Sequence, residues 1–170
     1  LWKKKLGGKI LGDIKQVDLY KNKRLQMAFR TNDRFLILDR NGKIVKPFNI
    51  KLEKNDFTIP LSVFDYDSNR NYRFLVVNNS SILMYDSKGK KVTGFNSKPI
   101  KERITHPPKH IRISGKDYLI FKQKNRLKIL NRKGQDRIKL KDDINFSDNA
   151  IFSYLDTFMT TDKEGNLVQI

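Results

Sequence analysis

The chain contains no cysteine among its 170 residues. Disulfide bonds and thiolate zinc sites are therefore excluded, while both reducing and oxidising compartments stay compatible with the composition. No apolar run approaches the roughly 18 to 20 residues that a membrane-spanning helix needs. No window keeps an apolar period of 3.6 residues either, so we predict no helix of consequence. A fold built from strands is what these absences leave.

Motifs of the common enzyme classes are also missing. There is no Gly-x-Ser-x-Gly sequence, and Leu6-Gly7-Gly8-Lys9 lacks the earlier glycine and the final Ser or Thr of a phosphate-binding loop. The two histidines, His106 and His110, are four residues apart, but the prolines between them exclude the helix that would bring them to one metal ion. We interpret this segment as a rigid loop, and we predict that the chain is not an enzyme.

What the chain has in excess is positive charge. Its 36 Lys and Arg residues outnumber 18 Asp and Glu residues, which gives a net charge of +18. Such an excess favours anionic partners, for example nucleic acid, acidic glycans or lipid headgroups. The alternative interpretation is a solvated lysine-rich surface without a specific partner.

An internal repeat organises the sequence. Gly42, Gly89 and Gly134 each occupy a similar turn, and they follow one another at intervals of 47 and 45 residues. An apolar residue follows each glycine by six positions, at Phe48, Phe95 and Leu140, and Trp2 precedes Phe48 by 46 residues. A period of this length indicates one supersecondary unit per repeat.

Each repeat divides into four short apolar runs separated by turn residues, which we predict as four strands. The first strands are residues 14–20, 61–66, 110–114 and 150–154, and the second are 25–30, 72–77, 118–122 and 157–161. The third are 34–39, 82–86, 126–131 and 167–170, and the fourth are 1–6, 44–50, 91–96 and 136–141.

Repeated units of four antiparallel strands are typical of β-propeller blades. We therefore predict an all-β propeller, or an arc of one, with about four four-stranded antiparallel blades of about 46 residues in a single domain over residues 1–170. Residues 1–6 supply a fourth strand, residues 7–52, 53–98 and 99–143 form blades, and residues 144–170 form an incomplete blade. The ends suggest a fragment of a longer protein. Three arrangements of these blades are open: they close as a four-bladed ring, they form part of a larger ring, or they complete a ring by association with a second copy of the chain.

The turn sequences Asp39-Arg40-Asn41-Gly42-Lys43 and Asp86-Ser87-Lys88-Gly89-Lys90, each followed by a strand with an aromatic residue, resemble quinoprotein-like (PQQ-like) propeller blades. The tryptophan that quinoprotein dehydrogenases carry in such strands is present only at Trp2, and the WD40 and kelch signatures are absent. The resemblance implies the architecture and not the cofactor chemistry. The composition, rich in Lys, Asn, Ile and Phe, resembles that of flavobacterial propeller proteins.

One stretch has the spacing of a calcium-binding loop. Asp65, Asp67, Asn69 and Asn71 place oxygen ligands at alternate positions, as hard cations require. No glycine stands at the sixth position and no glutamate at the twelfth. Calcium binding is one interpretation of this loop, and the alternative is a metal-free turn capped by Asp and Asn side chains.

The repeat also assigns the charges to faces. Turns after the first and third strands leave from one face of a propeller, and this face is predicted to be basic. We predict polyanion binding there by six residues: Arg40, Lys43, Lys88, Lys90, Arg132 and Lys133. The other face mixes acids with bases and includes Lys54, Asp56 and Asp142. Lysines that only protect exposed turns from aggregation are the alternative.

Three functions are compatible with these features. The first is a non-enzymatic interaction or scaffold module of a larger protein, which binds a protein or glycan partner through its loops and belongs to the cell envelope or a secreted protein. The second is binding of a polyanion, either nucleic acid or acidic glycan, by the basic face. The third is a piece of a quinoprotein-like or calcium-dependent enzyme. A cytoplasmic location is compatible with all three.

Overall fold

The computed structural model describes residues 1–53, 59–123, 125–141 and 143–170. Within these ranges the chain forms fourteen β-strands and no helix. The strands form four antiparallel sheets of three or four strands, and each sheet uses strands that are consecutive in the chain. The prediction of an all-β fold is therefore confirmed. No helix in the described ranges is long and apolar enough to cross a membrane.

Sheets 1 and 2 come from the first half of the chain. Sheet 1 has the order β1-β2-β3-β4, with β1 (Lys15–Val17), β2 (Gln26–Arg30), β3 (Arg34–Leu38) and β4 (Ile44–Lys51). Sheet 2 has the order β5-β6-β7, with β5 (Ser62–Phe64), β6 (Arg73–Asn78) and β7 (Ser81–Asp86). The central strands β3 and β6 are nearly continuous apolar runs, as expected where both faces of a strand are buried. β2 is equally buried but begins and ends with the polar residues Gln26 and Arg30.

Sheets 3 and 4 come from the second half. Sheet 3 has the order β11-β10-β9-β8, with β8 (Lys109–Ile113), β9 (Lys116–Lys122), β10 (Leu127–Leu130) and β11 (Asp136–Ile138). Sheet 4 has the order β12-β13-β14, with β12 (Phe152–Tyr154), β13 (Thr157–Thr161) and β14 (Leu167–Gln169). β8 buries Ile111 and Ile113 and exposes Arg112 between them, as expected of a strand with one face on a core.

The chain packs as two compact units, Leu1–Thr93 and Gly94–Ile170, which we call unit 1 and unit 2. Unit 1 contains sheets 1 and 2, and unit 2 contains sheets 3 and 4. Each sheet lies inside one of the four predicted repeats. The single domain over residues 1–170 stays a prediction.

A cluster of aromatic rings forms the centre of the unit 1 core. The Phe35 ring lies 5.6 Å from Phe48, 5.2 Å from Phe74 and 5.9 Å from Tyr85, measured between ring centroids. All four side chains are buried. Burial of one such side chain contributes about 1.5 to 3 kcal/mol. Because Phe35 and Phe48 come from sheet 1 and the other two from sheet 2, this cluster holds the two sheets together.

Unit 2 has a separate core with the same kind of composition. Tyr118 and Phe158 meet edge to face with their centroids 5.1 Å apart, which joins sheet 3 to sheet 4. Buried aliphatic residues of the same core include Ile111 and Ile129 of sheet 3 and Ile151, which directly precedes β12.

A buried cation also joins the two sheets of each unit. In unit 1 the guanidinium of Arg30, which is 1% exposed, donates to the carbonyl oxygens of Ile59 at 3.2 Å and Val77 at 2.7 Å. In unit 2 the amine of Lys122, which is 4% exposed, donates to the carbonyl of Asn149 at 2.5 Å and to Thr160 Oγ1 at 3.3 Å.

Burial lowers the pKa of both cations, because an apolar environment disfavours the charged form. Nearby Asp148 opposes this effect at Lys122 and raises its pKa in part. Arg30 and Lys122 are separated by 92 residues, which equals the interval between Gly42 and Gly134. They therefore occupy equivalent positions in the first and third repeats.

Two of the predicted fourth strands are not formed. Residues 1–6 make no strand, because Trp2 packs against the turn after β3 and not along the edge of a strand. Residues 91–96 are reduced to a single bridge between Tyr85 and Lys91, and the chain then turns at Thr93 and Gly94. The other two, residues 44–50 and 136–141, correspond to β4 and β11.

Candidate functional site

The turns after β3, β7 and β10 share one conformation. In the first of them, Asp39 Oδ1 accepts the backbone amides of Asn41 and Lys43, both at 2.9 Å, and the Asp39 carbonyl accepts the amide of Gly42 at 3.0 Å. Asp86 and Asn131 cap the other two turns in the same way. The side chain that begins each turn thus fixes it, and the residues between project from a rigid base.

Each turn requires glycine because a neighbouring segment lies too close for a side chain. Gly42, Gly89 and Gly134 have φ angles of 75°, 75° and 80°, where side chains are disfavoured. A Cβ at these positions would lie 2.8 Å from the Trp2 ring, 2.7 Å from Pro47 and 2.8 Å from the Ser97 amide, respectively. The turns at Gly89 and Gly134 therefore pack against the segment that follows the turn of the preceding repeat. The turn at Gly42 packs against Trp2, which lies at the equivalent position near the start of the chain.

The loops between the first and second strands of sheets 1 and 2 are also alike. Asp18 accepts the backbone amides of Asn22 at 3.0 Å and Lys23 at 2.9 Å. Asp65, which is 47 residues later, accepts those of Asn69 at 3.1 Å and Arg70 at 2.9 Å. Both loops are long and have two non-glycine residues at positive φ.

These contacts locate the predicted calcium ligands. Both Asp65 oxygens already accept backbone amides, and Asn69 Oδ1 accepts the amide of Asn71 at 3.0 Å. Asn71 Oδ1 accepts a bond from Lys21 at 3.2 Å, and Asp67 is exposed. The loop that Asp18 caps has the same hydrogen bonds but carries Tyr20 at the position of Asp67. Calcium binding stays a prediction, and the shared geometry is that of an Asp-capped loop.

The two loops lie side by side within unit 1. Arg70 Nη1 is 3.4 Å from Asp18 Oδ2, and the Tyr72 hydroxyl accepts the amide of Asp18 at 3.1 Å. In an antiparallel sheet of sequential strands, the first and third connections leave from the same end. The two loops and the turns at residues 39–43 and 86–90 therefore occupy one end of unit 1.

That end is rich in cations, which we call the turn surface of unit 1. It comprises Lys21, Lys23, Arg24, Arg40, Lys43, Arg70, Lys88 and Lys90. Arg70 is half-buried, and the other seven are exposed. The same segments carry five aspartates, but four of them each accept two backbone amides: Asp18, Asp39, Asp65 and Asp86.

Two exposed aromatic rings accompany these cations. Tyr20 is 60% exposed on the loop after β1, and Trp2 is 45% exposed against the turn after β3, where its Nε1 donates to the Arg40 carbonyl at 2.9 Å. Since β2 and β3 are neighbouring strands, about 4.8 Å apart, both rings lie at the same end of sheet 1. Neither ring was predicted from the sequence to take part in binding.

The remaining two predicted polyanion-binding residues lie in unit 2. Lys133 is exposed, whereas Arg132 Nε is 2.6 Å from Asp117 Oδ2 and is engaged in an ion pair. The other oxygen of Asp117 is 2.7 Å from His110 Nε2. The buried carboxylate thus joins a turn residue to the first strand of the same sheet, an arrangement that supports the turn.

His106 and His110 do not meet at one site. The Nε2 atom of His106 is 3.0 Å from the Asp148 carbonyl, while His110 contacts Asp117. Among the residues that the structure describes, no group of three or more His, Cys, Asp or Glu side chains could hold a metal ion. Of the charges predicted for the opposite face, Lys54, Asp56 and Asp142 lie outside the described residues.

No protein-family model, curated protein or solved structure matches the chain. Its function must therefore be inferred from its own residues.

Proposed function

We propose that the chain is a non-enzymatic interaction module of propeller-type repeats that binds an acidic protein or glycan partner. The observation that carries this proposal is the turn surface of unit 1. Eight cations stand on loops and turns that their own aspartates hold rigid, so little conformational entropy is lost when a partner binds. Such a surface raises the association rate with acidic partners and makes the affinity sensitive to salt.

Contacts inside each unit support the propeller arrangement. In unit 1 the corresponding loops of sheets 1 and 2 touch through Arg70 and Asp18, and in unit 2 Ser114 Oγ donates to Asp156 Oδ1 at 2.9 Å between corresponding turns. Neighbouring sheets of a unit thus present equivalent ends on the same side, as successive blades do. A crystal structure of the chain that lacked radially arranged sheets would contradict this part of the proposal.

Binding of single-stranded nucleic acid is a second candidate function. The exposed rings of Trp2 and Tyr20 at the basic end of sheet 1 favour it, because bases stack on aromatic side chains while cations contact the phosphates. A sulfated glycan is also negatively charged but has no bases that could stack on aromatic rings. Substitution of these two rings should therefore distinguish a nucleic-acid ligand from a glycan ligand.

Salt-dependent binding tests the proposal. Fluorescence anisotropy of labelled heparin and of a labelled oligo-dT strand is measured between 50 and 300 mM NaCl for the native chain and for the quadruple variant Arg40→Glu, Lys43→Glu, Lys88→Glu and Lys90→Glu. We expect the quadruple variant to bind both probes at least tenfold more weakly. Four lost contacts make the slope of log K against log[salt] less steep by about 3.

A matched variant controls for net charge alone. Lys9, Lys139, Lys141 and Lys163 are exposed and lie outside the turn surface, so changing all four to Glu removes the same total charge. Equal losses in the two quadruple variants would contradict a specific surface. Changing Trp2 and Tyr20 to Ala should weaken oligo-dT binding and leave heparin binding nearly unchanged if the nucleic-acid function is correct.

A further inference from the structure

Among the described residues, sheet 2 has three strands, whereas sheets 1 and 3 have four. After β7 the chain makes two backbone hydrogen bonds back to it, from Asp86 N to Lys90 O and from Val92 N to Met84 O, both 2.9 Å. Beyond Val92 the chain turns away at Thr93 and Gly94. In sheet 1 the corresponding strand, β4, continues and pairs with β3 as far as Lys51. The outer edge of β7 is therefore only half covered.

The register of β7 shows which backbone groups remain at that edge. Since Met84 and Asp86 bond outward to residues 90–92, the alternation along a strand directs the amide and carbonyl of Ile82 outward as well. The amide of Met84 has the same direction. Among the described residues, no backbone hydrogen bond reaches these three groups from the outer side. They form an open strand edge of the kind that accepts an added strand.

A groove of about 310 Å³ lies beside this edge. Ile50, Leu52, Leu83 and Tyr85 give it an apolar lining, and Lys51 and Lys91 add positive charge. Glu53, which also lines the groove, already accepts a hydrogen bond from Asn79 Nδ2 at 2.9 Å. On an added antiparallel strand, a residue opposite Leu83 would direct its side chain to the face of Leu83 and Tyr85, and so into the groove.

Asn78 gives an independent indication of a ligand. This residue lines the groove, is 7% exposed, and its Oδ1 atom is buried without a hydrogen-bond donor among the described residues. Buried acceptors are nearly always bonded, so an orphaned one beside an open groove indicates a missing donor. Its equivalent in the next repeat, Gln123, donates through Nε2 to the Glu102 carbonyl at 3.0 Å.

We propose that the edge of β7 and its groove bind an extended segment of a partner protein as the fourth strand of sheet 2. The segment bonds to the backbone of Ile82 and Met84, places an apolar side chain in the groove and directs acidic side chains to Lys51 and Lys91. Addition of a strand to an open edge is an established mode of peptide recognition. This site adjoins the turn surface, because Gly89 lines the groove, but it uses none of the eight cations of that surface.

The test uses the ¹⁵N-labelled full chain and two blocked pentapeptides, Asp-Ile-Thr-Ile-Asp and Lys-Ile-Thr-Ile-Lys. We expect the acidic peptide to shift the amide signals of Ile82 and Met84 and to slow their hydrogen exchange at least threefold. The basic peptide should bind at least fivefold more weakly. Chemical-shift titrations give both affinities, and the native pattern of the remaining signals reports correct folding.

Two variants in the groove and one matched control outside it test whether the peptide binds at this site. Asn78→Leu removes the orphaned acceptor, and Leu83→Arg fills the groove, so each should weaken the acidic peptide at least fivefold. Gln123→Leu changes the equivalent position in a sheet that already has four strands, and we expect peptide affinity to stay the same. Should Asn78→Leu fail to fold, Leu83→Arg still tests the groove.

Several results would overturn the proposal. They are peptide-induced shifts outside β7 and the groove, equal affinity for the two peptides, or unchanged binding in both Asn78→Leu and Leu83→Arg. If oligo-dT slows hydrogen exchange at Ile82 and Met84, the edge binds nucleic acid and the partner-peptide proposal is rejected. The proposal is likewise rejected if these two amides become protected as the chain dimerises with rising concentration, with dimerisation measured by sedimentation. Loss of the heparin salt response would leave this proposal intact and contradict only the turn surface.

Discussion

At the residue scale, the two buried cations are the least expected feature of the chain. Arg30 and Lys122 end apolar strands, where a charged residue is usually exposed. Arg30 instead donates to the carbonyls of Val77 in sheet 2 and of Ile59 ahead of it. Lys122 donates to Thr160 Oγ1 in sheet 4 and to the carbonyl of Asn149 ahead of it. A charge in an apolar core is costly unless it is hydrogen-bonded, so these contacts specify how the two sheets of a unit align.

Burial of Lys122 predicts a pH dependence of stability. Its pKa is lowered in the folded chain, so between that value and the ordinary lysine pKa, about 10.4, the unfolded chain binds more protons. The free energy of unfolding contributed by Lys122 should therefore rise with pH in this window. Urea unfolding at pH 7 and pH 10 should show a smaller gain in Lys122→Met than in the native chain.

An exposed lysine controls for general charge effects in that experiment. Lys139→Met removes one charge from an exposed position, and the gain between the two pH values should match that of the native chain. Equal gains in Lys122→Met and the native chain would show that the Lys122 amine titrates alike in the folded and unfolded states.

The sequence could not indicate this burial, because a lysine at the end of an apolar run looks the same whether it is exposed or buried. The 92-residue interval between the two cations was the only available signal. At Asp65 the sequence does contain a pattern, but the pattern has two interpretations. Alternate Asp and Asn residues suit a metal loop and an Asp-capped loop equally, and the equivalent loop at Asp18 shows the latter hydrogen bonds without a second acid.

At the scale of elements, the capped glycine turns connect the repeats. Gly134 and Gly115 both have positive φ, 80° and 73°, yet a Cβ at Gly134 would lie 2.8 Å from a backbone atom, while one at Gly115 would meet nothing within 4 Å. The two glycines therefore separate the need for a left-handed conformation from the need for close contact.

Substitution of these glycines by alanine tests that distinction. Gly115→Ala should lower the free energy of unfolding by about 1 to 2 kcal/mol because of the left-handed backbone. Gly134→Ala should cost at least about 1 kcal/mol more, because the Cβ must displace backbone of residues 96 and 97. Urea unfolding followed by circular dichroism measures both, and equal losses would show that the turn does not pack tightly.

Strand positions were largely predictable, because apolar runs and Asp-x-x-Gly turns alternate in most of the chain. The prediction failed where the pairing partner, and not the segment, decides the outcome. Residues 91–96 resemble β4 in pattern, but Ser97 and Pro99 replace Ile50 and Leu52, which removes strand-favouring side chains and one backbone donor. Residues 1–6 have a suitable pattern but pack on a turn.

At the scale of the whole molecule, the charge excess acts on stability as well as on binding. A net charge of +18 on 170 residues causes self-repulsion in the folded state, which dissolved salt screens. We expect the midpoint of urea unfolding to rise between 20 and 300 mM NaCl. The rise should be smaller in the quadruple turn-surface variant, whose net charge is reduced by 8 to +10. A midpoint that falls with salt would indicate that attractive ion pairs dominate.

The buried cations Arg30 and Lys122 recur after two repeats, whereas the strand pattern recurs after every repeat. The residue between them in the series is Val77, whose carbonyl receives the Arg30 guanidinium. Within each unit, the first repeat thus carries the buried cation and the second repeat supplies its acceptors. Removing one repeat of a unit would leave either a buried cation without its acceptors or acceptors that no cation reaches, whereas adding or deleting both repeats of a unit together would keep each cation with its acceptors.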